Sequence, residues 1–110
     1  MIGTRTLTYD GPDGPRQIPI TIFAPTLLGE VWDCAYEIGW PDAAWTSHTQ
    51  GNDALHALQL ALQKLSVDIY MSPYHRSGKL SWLPPWVGYG FAPPKDARDL
   101  LVGTDREFFG

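Results

Sequence analysis

Three histidines, His48, His56 and His75, a lone cysteine, Cys34, and the acidic pair Asp33 and Glu37 are the side chains here with the chemistry to hold a metal, attack a substrate or carry a proton. A zinc site needs ligands converging at short helical or hairpin spacing, but gaps of 8 and 19 residues put these histidines on no common face. They read as surface residues, and no metal is expected. A Cys–His nucleophile needs an exposed, stabilised thiolate. Cys34 alternates with Trp32 and Tyr36 on the apolar side of a strand, so a buried, inert thiol is expected. Asp33 and Glu37 share a strand face about 13 Å apart, too far to share a proton. With Glu30 and Asp42 they read as a solvated acidic strip. Gly88-Tyr89-Gly90-Phe91 lacks the third glycine and the lysine of a phosphate loop and reads as a hairpin with small residues. No catalytic residue and no cofactor is therefore expected.

Two segments carry binding potential instead. Trp82-Leu83-Pro84-Pro85-Trp86 holds two of the five tryptophans. Such rings either desolvate an interface, with Pro-Pro limiting the entropy lost on docking, or close the end of a core, which the usual burial of tryptophan favours. The other segment is the outer face of a helix, where Leu60 and Val67 stand beside His56 and Gln63. Apolar groups left in water there gain free energy when a partner covers them, and the polar neighbours can set its orientation. The candidate binding residues are thus His56, Leu60, Gln63, Val67, Trp82 and Trp86.

These residues need a scaffold, and the strongest signal for one is Gly51-Asn52-Asp53 ahead of a Leu- and Ala-rich run ending at Ser72-Pro73. Asn52 is placed to cap the helix and Asp53 to favour its positive end, which predicts a helix over 53–70. At about 100° per residue, Ala54, Leu55, Ala57, Leu58, Ala61, Leu62, Leu65 and Ile69 form one stripe, with His56, Gln59, Gln63 and Tyr70 opposite. That stripe should pack on Ile20, Trp32 and Tyr36. Strands are predicted at 4–9, 17–23, 31–38, 44–49 and 79–83 from alternation and turn residues, with Trp86–Phe91 as a hairpin mate. Pro19 marks the second strand as locally an edge. A terminal helix over 96–102 should stop at Gly103.

A chain of 110 residues with 44% hydrophobic and 18% charged residues suits one ordered domain, 1–110, burying roughly 65% of its unfolded surface. Net charge is −4, and the eight Lys and Arg are scattered from Arg5 to Arg106. Nucleic acid is therefore not an expected partner, whereas a basic partner is compatible. No apolar run approaches the about 18 residues of a membrane span, and neither secretion nor membrane insertion is expected. With a single cysteine, a cytoplasmic location is expected.

The stretch Trp32-Asp33-Cys34-Ala35-Tyr36-Glu37-Ile38, then Gly51-Asn52-Asp53-Ala54-Leu55-His56-Ala57-Leu58-Gln59-Leu60-Ala61-Leu62, then Ile69-Tyr70 and Gly78-Lys79-Leu80-Ser81-Trp82, resembles a small bacterial family of unknown function. More distantly, the strand, Gly-Asn/Asp and Ala/Leu-rich helix are similar to the antitoxin half of HicAB toxin–antitoxin pairs. That likeness implies a partial RNase-H-like order β-β-β-α-β. Neither resemblance brings catalytic residues with it. The expected fold is α+β: an antiparallel sheet of four to six short strands covered on one face by one long helix, with a short C-terminal helix. The expected role is protein binding without catalysis, of immunity or antitoxin type, toward a toxin or effector or as a homodimer. The alternative is a small enzyme or ligand-binding domain with a Trp/Tyr-lined pocket.

Overall fold

Alternation of Thr4, Thr6 and Thr8 with Arg5, Leu7 and Tyr9 builds strand β1 (Gly3–Gly11) in a computed structural model that describes residues 1–110. Leu7 is fully buried, while Thr4 and Thr6 face water. Pro12-Asp13 turns the chain into β2 (Gly14–Ile22), and so tight a turn keeps both strands paired to Gly11↔Gly14, beyond the predicted ends.

From β2 the ladder to β4 (Val31–Ile38) runs only from Ile20 to Ile22. Pro19, with no N–H to give, lies just outside it, and its carbonyl accepts from Gly39 N at 2.8 Å. The short β3 (Thr26–Leu28) resumes along the same edge of β4, and Phe23 N donates to Ala35 O at 2.9 Å across the gap. Strand β5 (Trp45–Gly51) lines the opposite edge of β4 along its whole length. A two-residue β6 (Leu80–Ser81) pairs outside β1. The result is a six-stranded antiparallel sheet running from β5 through β4, β2 and β1 to β6. The fold class is the expected one, although five strands precede the long helix where the antitoxin likeness implies three.

Helix α1 (Ala54–Tyr70) covers one face of the sheet. Its cap is Asp53, not Asn52. The extended Asp53 backbone aims the carboxylate at His56 N, 2.7 Å away, while Asn52 N turns to the His56 ring. The buried line is Ala57, Ala61, Leu65 and Ile69, flanked by half-buried Leu58 and Leu62. Two positions depart from the expected stripe: Leu55 is 76% exposed, and Tyr70 is buried. A close approach to β5 sets this rotation. Thr49 Oγ1 donates to Ala57 O at 2.8 Å, and a side chain at Gly51 would strike the backbone of Ala57. With small residues at 57 and 61 pressed to the sheet, Leu55 swings out. Tyr70 swings in, where its hydroxyl finds Asp105.

Beyond α1, a short helix α2 (Pro73–Arg76) leads to β6. No strand forms over 86–91, because the amides of Tyr89 and Gly90 bond to the Asp105 carboxylate instead of a neighbouring strand. The expected terminal helix is a 3₁₀ segment over Lys95–Leu100, and Gly103 opens a further helix, α3 (Gly103–Phe109), rather than ending one. Val87 O anchors that start by accepting from Thr104 N and Asp105 N.

Candidate binding surface

The direction of the β5 backbone follows from one hydrogen bond. Phe23 N donates to Ala35 O, so the odd-numbered residues of β4 aim at β2 and the even-numbered ones at β5. By register, Trp45, Ser47, Thr49 and Gly51 then bond to β4, and Thr46, His48 and Gln50 turn their N–H and C=O groups outward. No protein group bonds to those outward amides and carbonyls. At the opposite side of the sheet, β6 pairs only with Thr8 and Tyr9, so Gly3–Leu7 of β1 have no strand beyond them there.

Beside this open edge, Leu60, Gln63 and Val67 of α1 and His48, Thr49 and Gln50 of β5 line an open groove of about 530 Å³, with Pro94 at one side. Lys64 and Asp68 complete its rim. Asp68 Oδ2 accepts from the Tyr36 hydroxyl, from Trp45 Nε1 at 3.0 Å and from Lys64 Nζ at 3.2 Å. Burial, reinforced by the bond to Asp68, pushes the Tyr36 hydroxyl well above its ordinary pKa, so it stays a donor. On the outer face of the sheet, His48 Nδ1 lies 2.6 Å from Asp33 Oδ1, so Asp33 has a cross-strand partner as well as water.

Three of the residues singled out from sequence, Leu60, Gln63 and Val67, therefore meet in one groove, with both apolar members half-buried. His56 stands apart at the start of α1, exposed, its Nδ1 accepting from Asn52 N at 3.0 Å. Trp82 and Trp86 lie elsewhere, half-buried in the C-terminal segment. Trp86 stacks on Phe108 at 5.1 Å, and Trp82 sits edge-on to Trp86 at 5.6 Å. No three His, Cys, Asp or Glu side chains converge. Cys34 is buried, and burial followed by the charge of Asp33 raises its pKa.

Sequence reasoning missed Asp105. This fully buried carboxylate takes Trp86 Nε1 (2.6 Å) and Gly90 N (2.7 Å) on Oδ1, and Tyr70 Oη (2.7 Å) and Tyr89 N (2.7 Å) on Oδ2. Gly88 leaves the space, since a side chain there would overlap the carboxylate. Burial comes first, with Asp105 adding to it, in raising the Tyr70 and Tyr89 hydroxyls well above their ordinary pKa. His75 Nδ1 lies 2.5 Å from Tyr89 Oη, and burial lowers the His75 pKa, so its ring is neutral at pH 7. With two donors on each oxygen, Asp105 has no direction left for a ligand, and it ties the C-terminal segment to α1. Nothing in the pattern marks it among twelve acidic residues; the indirect signal is the aromatic and glycine-rich segment that wraps it.

Residues 3–93 match DUF6968, a domain of unknown function, and the chain belongs to that family. No curated protein and no solved structure matches the chain.

Proposed function

We propose that this DUF6968 protein is a protein-binding module of immunity or antitoxin type, acting in the cytoplasm without catalysis, that takes up an extended segment of its partner along β5. The observation carrying this reading is the open seven-residue edge strand beside the Leu60–Val67 groove. An unpaired edge is a template for strand addition: main-chain bonds supply affinity, and alternate side chains of the added strand select for the surface beneath them. The added strand would bond to Thr46, His48 and Gln50 and lay apolar side chains into the groove. Its remaining side chains should be basic, because the chain carries −4 and Lys64, the lysine on the groove's rim, already leans on Asp68.

The test is selection of extended peptides on the full chain, followed by amide mapping by NMR. Peptides alternating apolar residues with Lys or Arg should be enriched and should perturb residues 45–51. His48→Pro, which removes an outward N–H, and Leu60→Glu should each abolish binding with the fold intact. Selected peptides that map to the Trp82–Trp86 segment would overturn the reading. Association of the chain only with itself, seen by light scattering, would replace the foreign segment with a second β5.

A further inference from the structure

Arg5 stands on the inner face of β1, in line with Leu7 and Tyr9, half-buried where a wholly apolar face would carry another aliphatic residue. Its guanidinium lies 4.0 Å from the Trp82 ring centroid and 4.3 Å from that of Phe91, so two aromatic rings hold it in place. Nη1 donates to the carbonyls of Tyr89 at 3.0 Å and Gly90 at 3.1 Å. Nε and Nη2 bond to nothing in the protein, yet neither is sealed from solvent. No carboxylate lies within 4.0 Å of the group, and Asp105, whose charge reaches it from farther away, has both oxygens occupied. One edge of a fixed guanidinium fork is thus left open.

That fork stands at a cleft of about 160 Å³ whose apolar walls are Ile20, Ile22, Leu62, Leu65 and Phe91. The hollow continues past Leu62 and Phe91 toward Ala92 and Phe109. An apolar cavity of about 150 Å³ accommodates a molecule the size of benzene. The Nε/Nη2 edge of a guanidinium matches the two oxygens of a carboxylate. No second cation lines the cleft, as a doubly charged phosphate monoester would require.

We propose that this cleft binds a small monocarboxylic acid with a compact apolar body, its carboxylate on Nε and Nη2 of Arg5 and its body between α1 and the β1–β2 pair. Burial lowers the pKa of Arg5, the sign of a desolvation cost that the more distant charge of Asp105 offsets only in part. A bound carboxylate would supply a direct counter-ion. The site is separate from the β5 edge, so either can be present without the other.

The probes are phenylacetate and its uncharged isostere phenylacetamide, titrated into the ¹⁵N-labelled full chain. Phenylacetate should shift the amides of Gly3, Thr4 and Gly90 saturably, and the amide should bind at least about tenfold more weakly. Arg5→Met should erase that preference. Leu62→Phe, which fills the cleft and leaves the Arg5 contacts alone, should abolish binding of both probes while the chain still melts cooperatively. If Arg5→Met fails to fold, the wild-type acid/amide ratio and Leu62→Phe decide. The proposal is overturned by equal binding of acid and amide, by shifts that persist in Leu62→Phe, or by no saturable shift at those amides up to ~10 mM ligand.

Discussion

Asp68 and Asp105 each accept from one tyrosine hydroxyl and one indole N–H, Tyr36 with Trp45 in the first case and Tyr70 with Trp86 in the second. Around Asp105 the backbone supplies two further donors, and the carboxylate is sealed. Around Asp68 the further donor is Lys64, the side chain keeps 18% of its surface, and the group stands on the rim of the groove beside β5. The chemistry of the trio is therefore common to both, and the surroundings decide its use. Backbone amides cannot leave, so they turn a carboxylate into a structural tie; a flexible lysine can exchange for a cation on a partner.

The sharpest break of this comparison is Asp105→Asn. Each Asp105 oxygen faces two donors, so an amide NH₂ on either side meets an N–H or O–H head-on. We expect a loss of about 3–5 kcal/mol in urea unfolding. A loss below about 1 kcal/mol would mean the centre rearranges freely, and the contrast with Asp68 would collapse.

Alkaline titration addresses both centres at once. Tyr36, Tyr70 and Tyr89 have folded pKa values raised above the ordinary one of about 10. Below that pH neither state loses a proton, and the stability is fully present. Above it the unfolded chain releases protons that the folded chain keeps, so stability falls as pH rises. The urea midpoint should therefore drop steadily above about pH 10, and Tyr36→Phe should make the drop shallower. An unchanged slope in Tyr36→Phe would show that neither the burial of this hydroxyl nor its bond to Asp68 is held in solution. The matched substitution Asp68→Asn comes next in size. Oδ2 can remain the acceptor while the NH₂ takes the place of Oδ1, which faces only Lys64 at 3.4 Å. The cost should be about 1 kcal/mol or less. A cost matching that of Asp105→Asn would make Asp68 a structural tie too.

The features legible in sequence are those with a local cause. Alternation marked β1 and β4, and Gly51-Asn52-Asp53 marked the start of α1 to within a residue. That Leu60, Gln63 and Val67 share a helix face also followed, because it needs only helical periodicity, whereas the groove beside β5 and the separation of His56 from it did not. The rotation of α1 did not follow, since it depends on how closely Ala57 approaches Gly51 across the fold. The C-terminal segment was misread for a related reason. Its amides are satisfied by a carboxylate fifteen or sixteen residues away, and such a bond leaves no periodicity behind. Arg5 was indistinguishable from a solvent-facing strand arginine until Trp82 and Phe91 closed over it.

Ser66 gives the smallest and most diagnostic effect. It lies on α1 one turn before Tyr70, is 1% exposed, and its hydroxyl has no hydrogen-bond partner. The two aspartates show polar groups buried with their partners present, whereas Ser66 shows the cost of burial alone. Ser66→Ala removes the unsatisfied oxygen and improves helix propensity, against which it gives up only the contacts of one atom. The variant should be more stable by about 0.5–1 kcal/mol, read as a higher urea midpoint at unchanged slope. A loss of similar size would mean the Oγ bonds in solution to a carbonyl one turn earlier in α1, a bond that tends to bend a helix. The close packing of Ala57 and Ala61 on β5 would then have to accommodate that bend, and the contrast between partnered and unpartnered polar burial would rest on the aspartates alone.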